Sequence, residues 1–291
     1  MTKVVGVIGV GNMGAAMARN LLAQGYAVHV HDIDMAQVQP LREAGAVVHH
    51  SPFSLAESAT LIIIAVVNAA QVEQVIAGEG GLGSALNAAH TLMLCPTISP
   101  DDVVRLTQQI QSLGASVIDA PMSGGPVRAQ AGTMSLMVAC EDAVFHQHAA
   151  VLNVLSNKIF RISNTPGDGA KTKLVNNLLA GIHLVGAAEV LVLAERMGLS
   201  AQKTLDVIAQ SSGQSWIASD RMTRALADNL APLAHMSLLT KDTRLACDAA
   251  ASANVHVPLG QLAADVFAKA CEAGWVDRDD AALLQYQRQL K

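Results

Sequence analysis

The eleven residues from Gly167 to Asn177, GDGAKTKLVNN, place two lysines and two asparagines at the head of a long apolar helical pattern. A neutral lysine can take the proton of an alcohol, so the segment offers a general base. On a helix, residues four apart share a face and residues two apart do not, so Lys173 aligns with Asn177 and Lys171 points elsewhere. An ammonium near a helix N-terminus meets the positive end of the dipole, an effect of about 0.3 to 1 kcal/mol and under one pKa unit. Burial must supply the rest if Lys173 is to reach neutrality near physiological pH. The ordinary alternative is two solvated lysines at a helix start.

A base at Lys173 suits hydride transfer from an alcohol carbon, which also needs an anchor for the substrate anion and exclusion of water. The stretch DAPMSGGPVRAQAGT, residues 119 to 133, follows an apolar run and so lies at the carboxyl edge of a sheet, where open α/β folds bind ligands. Successive N–H groups of Ser123, Gly124 and Gly125 can form a concave anion site, with the Ser123 hydroxyl as a further donor. The same SGGP is also an ordinary loop sequence.

The hydride needs a carrier, and VIGVGNMG supplies Gly9, Gly11 and Gly14 in GxGxxG spacing between an apolar run and a helical pattern. Gly9 makes the tight turn, Gly11 lets the backbone approach a pyrophosphate, and Gly14 lets helix pack on strand. The diphosphate then sits on the helix N-terminus at Asn12 and Met13, where free N–H groups favour anions. Asp32, at the end of the next expected strand, can accept hydrogen bonds from both ribose hydroxyls and would repel a 2′-phosphate. Ile33 follows it rather than an arginine, so NAD is expected over NADP. Two alternatives stand beside this: a glycine turn that binds nothing, with Asp32 as a strand-end cap, and FAD, for which a short α/β part followed by helices leaves little room.

These residues need a scaffold. From residue 3 to about 162, KVVGVIG, AVHVHD, TLIIIAVV, TLMLC and ASVIDA alternate with amphipathic stretches such as 12–24 and 100–113. Their continuous apolarity marks strands covered on both faces, hence an α/β Rossmann fold with a doubly wound parallel sheet. TMSLMVAC and KIFRIS extend the sheet, with a helix between them. After residue 165 only helical spacing remains, so residues 1–164 form an NAD-binding domain and 165–291 an all-helical substrate and oligomerisation domain, divided near SNTPGDG. His29 and His31 alternate along a strand and are expected to face packing or solvent rather than metal, and His183 is expected to be a core histidine of the long helix.

Bulk properties narrow the partners. The chain has 291 residues, 51% of them hydrophobic, and a net charge of −5 without basic runs, which gives no reason to expect nucleic acid or an anionic membrane. Four cysteines at 95, 140, 247 and 271 form no CxxC pair, so no metal is expected and a reduced, cytoplasmic compartment fits. The opening MTKVVGVIGVGNMGAAMA imitates a signal peptide, but its glycines recur and its apolar run passes into a helix. LVNNLLAGIHLVGAAEVLVLAE has the length to span a bilayer, yet carries Asn176, Asn177, His183 and Glu189 and reads as a core helix.

GVIGVGNMGAAMARNL, DAPMSGGPVRAQAGT, GDGAKTKLVNN and TKDTRLACDAA occur in the order and spacing of the β-hydroxyacid dehydrogenase family, which includes 3-hydroxyisobutyrate dehydrogenases, and the chain resembles that family over nearly its whole length. The resemblance implies NAD(P)-dependent oxidation of a small hydroxy acid by a homodimer or homotetramer built through the long helix and the C-terminal domain. It implies Lys173 as the catalytic lysine, Asn177 as a substrate-positioning residue, and Ser123, Gly124 and Gly125 as the carboxylate site. Lys241 would approach the cofactor from the helical domain, with Thr97 of CPTISP near the nicotinamide and Asn68 also at the cofactor. VVNAAQVEQVI, LVNNLLAGIHLVGAAEVL and SGQSWIASDRM look most like the L-threonate branch. Alternatives are 3-hydroxyisobutyrate, another 3- or 4-hydroxy acid, reduction of a semialdehyde, or a dinucleotide-binding scaffold without turnover. Thr243, Arg244 and Gln214 depart from the family pattern and are expected to line the substrate pocket.

Overall fold

The computed structural model describes residues 4–290, so Lys3 of the first expected strand and the terminal Lys291 lie outside the described residues. The chain divides into two compact units, residues 1–173 and 174–291.

The first unit opens with β1 (Val4–Ile8), α1 (Asn12–Ala23), β2 (Ala27–His31), α2 (Met35–Glu43), the two-residue β3 (Val47–Val48) and α3 (Pro52–Ala56). It continues with β4 (Leu61–Ile64), α4 (Ala69–Ala77), β5 (Thr91–Leu94), α5 (Pro100–Ser112), β6 (Ser116–Asp119) and β7 (Met122–Ser123). Then come α6 (Gly125–Gln130), β8 (Ser135–Ala139), α7 (Asp142–Leu155) and β9 (Lys158–Ser163). The sheet order is β3-β2-β1-β4-β5-β6-β8-β7, with β9 beside β8. All pairs from β3 to β6 are parallel, so the strand order reverses beside β1, where an open α/β sheet binds its ligand.

The unbroken apolar runs are explained by the two cores they serve. Val5, Val7, Leu61 and Ile63 join α1 and α7 on one side of the sheet, while Ile8, Ile62 and Ile64 join α5 on the other. A strand's side chains alternate between faces, so burial on both sides demands apolar residues at every position. Helix starts are set locally: Ser99 caps α5 by accepting the Asp102 N–H at 3.0 Å, with Pro100 in the first turn. The sheet extension differs from a wholly parallel one. β8 runs antiparallel to β6 because only the short β7 and α6 separate them, whereas β9 returns parallel to β8 after the longer α7.

The helix α8 (Asp168–Arg196) starts in the first unit and continues into the second. The second unit adds α9 (Ala201–Ala209), α10 (Trp216–Leu226), α11 (Met236–Ser252), α12 (Pro258–Ala270) and α13 (Leu283–Gln289), and no strand occurs there among the described residues. Its core gathers Leu184, Leu191, Met222, Met236, Phe267 and Leu283. Small residues let α8 approach closely, since a Cβ on Gly181 would lie 2.7 Å from Thr243 Cγ2. Buried ion pairs, Arg221 with Asp280 at 2.6 Å and Arg224 with Asp279 at 3.0 Å, tie α10 to the segment before α13.

α8 is the described helix with length and apolarity enough to cross a membrane, and with 39% of its most apolar window buried it is a core helix along one face only, not all round as its apolarity suggested. Its buried face holds Lys173 and Asn177 as well as the core leucines. His183 is exposed rather than in the core, because it falls on the outer side of α8.

Candidate active site

The glycine turn follows β1 with the geometry its sequence requires. Gly9 has φ of +84° and donates its N–H to the His31 carbonyl at 3.0 Å, joining the ends of β1 and β2. A Cβ on Gly14 would lie 1.9 Å from Gly9 O, so only glycine lets α1 start against the strand. A Cβ on Gly11 would meet nothing within 4 Å. The protein itself therefore does not require glycine at that position, and the open space suits a phosphate group. Gly11 is the N-cap of α1 with no side-chain cap, and no acid occupies the first turn at Asn12 and Met13, so the dipole's positive end is left for an anion.

Asp32 accepts the Val10 N–H at 2.7 Å through Oδ2 and the Asp34 N–H at 2.9 Å through Oδ1. It thus caps the strand end and holds the glycine turn at once. Each carboxylate oxygen keeps a further lone pair for a ribose hydroxyl. Ile33 beside it is 92% exposed and offers no cation to a 2′-phosphate. The residues present therefore fit a dinucleotide. Asn68 has its Oδ1 engaged as the cap of α4, accepting the Gln71 N–H at 2.9 Å, while Thr97 is half-buried in the turn between β5 and the Ser99 cap.

Ser123 ends β7 and pairs with Ser135 of β8. Gly124 and Gly125 have φ of +131° and +73°, a left-handed backbone that favours glycine at both positions. A Cβ on Gly125 would touch nothing, so the loop is open there as well. Just before it lies Asp119, 1% exposed, whose Oδ2 accepts the N–H groups of Gly167 at 2.7 Å and Ala170 at 3.2 Å. Burial pushes its carboxyl up to about 6 despite these donors.

Those N–H groups belong to the start of α8, and the two lysines diverge one turn later. Lys171 pairs with Asp168 at 2.8 Å with a side chain 64% exposed, whereas Lys173 is 7% exposed. Lys173 is thus withdrawn from solvent where its neighbour is not. Asn177, one turn on, is 8% exposed. Its Nδ2 donates to Asp242 Oδ2 at 2.6 Å, and Lys241 Nζ donates to Asp242 Oδ1 at 2.7 Å, so one buried carboxylate of α11 orients both. Neither Asp242 nor Asp119 is among the residues that the sequence singles out. The available signal was an acid on a buried stripe: Asp242 follows Leu239 and precedes Ala246 at helical spacing, and Asp119 closes a buried strand.

Thr243 is fully buried, donates to the Leu239 carbonyl at 2.7 Å and packs toward Gly181, so it belongs to a helix contact and not to a pocket. Arg244 is exposed beside an open depression shared with Lys241, Asp248 and Cys271. Gln214 is exposed ahead of α10. His29 stacks on His49 at 5.0 Å and shares a 2.9 Å hydrogen bond with it, a packing role. Among the described residues no group of three His, Cys, Asp or Glu could hold a metal ion. Burial pushes the Cys95 and Cys140 thiols up, away from nucleophilic use.

Residues 4–163 match the family model described as the NAD binding domain of 6-phosphogluconate dehydrogenase. Residues 167–287 match that described as NAD-binding of NADP-dependent 3-hydroxyisobutyrate dehydrogenase. The chain is 32% identical to an L-threonate dehydrogenase of Escherichia coli, covering 97% of this chain and 93% of the relative. It is also 32% identical to a 2-(hydroxymethyl)glutarate dehydrogenase of Eubacterium barkeri, over 98% of this chain and 95% of the relative. The crystal structure of a 3-hydroxyisobutyrate dehydrogenase from Salmonella typhimurium superposes with a TM-score of 0.91 at 32% identity, covering 98% of this chain and 99% of that one.

Proposed function

This chain belongs to the β-hydroxyacid dehydrogenase family, the NAD-dependent enzymes that include 3-hydroxyisobutyrate dehydrogenase, and on that premise we propose that it oxidises a four-carbon sugar acid such as L-threonate at its 2-hydroxyl, with Lys173 as general base. Bound NAD would supply the hydride acceptor. Gly9, Gly11, Gly14 and the α1 start at Asn12 and Met13 hold its diphosphate, Asp32 its ribose, and Asn68, Thr97 and Lys241 complete its contacts. Asp32, followed by Ile33, favours NAD over NADP.

The N–H groups of Ser123, Gly124 and Gly125 and the Ser123 hydroxyl receive the substrate carboxylate. Asn177 orients the hydroxyl, with its own amide set by Asp242. Lys173 Nζ accepts the hydroxyl proton as the carbon loses hydride. The observation that carries this assignment is the burial of Lys173 beside an exposed, ion-paired Lys171. Residues 1–164 provide the cofactor part and 165–291 the substrate and oligomerisation part of a cytoplasmic homodimer or homotetramer.

A panel of L-threonate, 3-hydroxyisobutyrate and 4-hydroxybutyrate, with NAD and with NADP, tests the substrate by nicotinamide absorbance, and L-threonate with NAD should give the highest kcat/KM. Faster turnover of 3-hydroxyisobutyrate would overturn the substrate assignment and leave the chemistry intact. Lys173→Ala should lower kcat by about 10²- to 10⁴-fold with the Kd for NAD unchanged. Loss of NAD binding with little change in turnover of saturated enzyme would remove Lys173 from the chemistry.

A further inference from the structure

Asp119 is a nearly fully buried acid that none of the steps above uses. It is the last residue of β6, and the chain that leaves it for Ser123 is pinned along its length. Ala120 donates its N–H to the Leu94 carbonyl at 2.9 Å, the Pro121 carbonyl accepts the Met137 N–H at 3.0 Å, and Met122 and Ser123 pair with Leu136 and Ser135. On its other side the Asp119 carboxylate accepts the Gly167 and Ala170 N–H groups. The fit leaves no slack: a Cβ on Gly169 would lie 2.9 Å from Asp119 Oδ2 and 2.7 Å from the Met137 carbonyl oxygen. Gly169 and Lys173 are four apart and share one face of α8, and a helical side chain tilts toward the N-terminus. The turn that bears Lys173 thus stands directly on the Asp119 anchor.

We infer that Asp119 is a positioning residue for the oxidation, its carboxylate fixing the spacing between the Ser123–Gly125 loop and the turn of α8 that carries Lys173. The inference rests on Lys173 being the base and that loop the carboxylate site. A shift of about 1 Å between catalytic groups is enough to cost on the order of 10²-fold in rate. An ordinary N-cap would stabilise the helix without any such effect on the chemistry.

The test compares wild type, Asp119→Ala, Asp119→Asn and Lys173→Ala with L-threonate, or with 3-hydroxyisobutyrate if the wild type prefers it. Asp119→Ala should lower kcat about 100-fold, raise KM for the acid, leave the Kd for NAD within about twofold, and raise the primary deuterium isotope effect on kcat as hydride transfer becomes limiting. Asp119→Asn keeps an acceptor oxygen without the charge and should fall between Ala and wild type. If Asp119→Ala does not fold, the isosteric Asn variant carries the comparison alone. Wild-type kcat, KM and isotope effect in a folded Asp119 variant, with Lys173→Ala inactive, would overturn the inference and leave the base in place. Full turnover in Lys173→Ala would overturn both.

Discussion

At the scale of single residues, three carboxylates do structural and chemical work together. Asp32 ties down the glycine turn through Val10, Asp242 orients Asn177 and Lys241, and Asp119 grips the start of α8. Asp119 also gives a pH prediction. Burial raises its carboxyl from an ordinary 3.8 to about 6, so between those values the folded chain binds more protons than the unfolded one. Its contribution to stability is therefore full below about 3.8 and is lost as pH rises through about 6. Relative to wild type, Asp119→Asn should gain stability from pH 4.5 to pH 7.5, as read by urea denaturation at both. A pH-independent difference would mean that the carboxyl is not shifted in the folded chain. The acid itself is visible in ASVIDA, but its partners are not, because Gly167 and Ala170 lie about fifty residues away in sequence.

At the scale of elements, the small residues of α8 decide how closely its neighbours pack. Its small residues admit α11, and Gly181 faces the Thr243 methyl and the Phe267 ring, where a Cβ would lie 2.7 and 3.3 Å away. Gly181→Ala gains up to about 1 kcal/mol of helix propensity but overpacks the contact by about 1 to 3 kcal/mol. It should therefore lower the melting temperature in the wild-type background. In a Thr243→Ser background, which removes that methyl, the same change should raise it. A decrease in both backgrounds would show that the crowding comes from Phe267 rather than Thr243. The apolar and small-residue spacing of α8 was readable from the sequence, whereas the burial of Thr243 was not, since a threonine two places after Lys241 reads equally well as a pocket residue.

At the scale of the whole molecule, the outer face of α8 is the feature that the single chain leaves unexplained. Val175, Leu179, Val190 and Leu193 recur at helical spacing and are 73%, 53%, 43% and 57% exposed. Soluble monomers rarely display large apolar patches, and two apolar pairs on one helix face, with His183 between them, suit a twofold contact with a second copy. This supports the proposed homodimer or homotetramer. Leu193→Glu lies about five and a half turns beyond Lys173 and should shift sedimentation to a smaller species while helix content is unchanged. A wild-type chain that sediments as a monomer at micromolar concentration would sink the assembly proposal.

The sequence alone determined the parts of this protein governed by local chemistry. Strand runs buried on both faces, serine and proline at helix starts, the glycine spacing before α1, and the buried face that Lys173 shares with Asn177 all depend on residues within a turn or two of each other. Only the tertiary structure decided what depends on distant neighbours. The antiparallel setting of β8, the exposure of His183, the two-residue β3 and the carboxylate partners of α8 and α11 were of this second kind. Periodicity reports which face of an element is apolar, and it carries no information about strand direction or about which polar group will meet a buried charge. Those are set when the chain closes on itself and every buried donor and acceptor must find a partner.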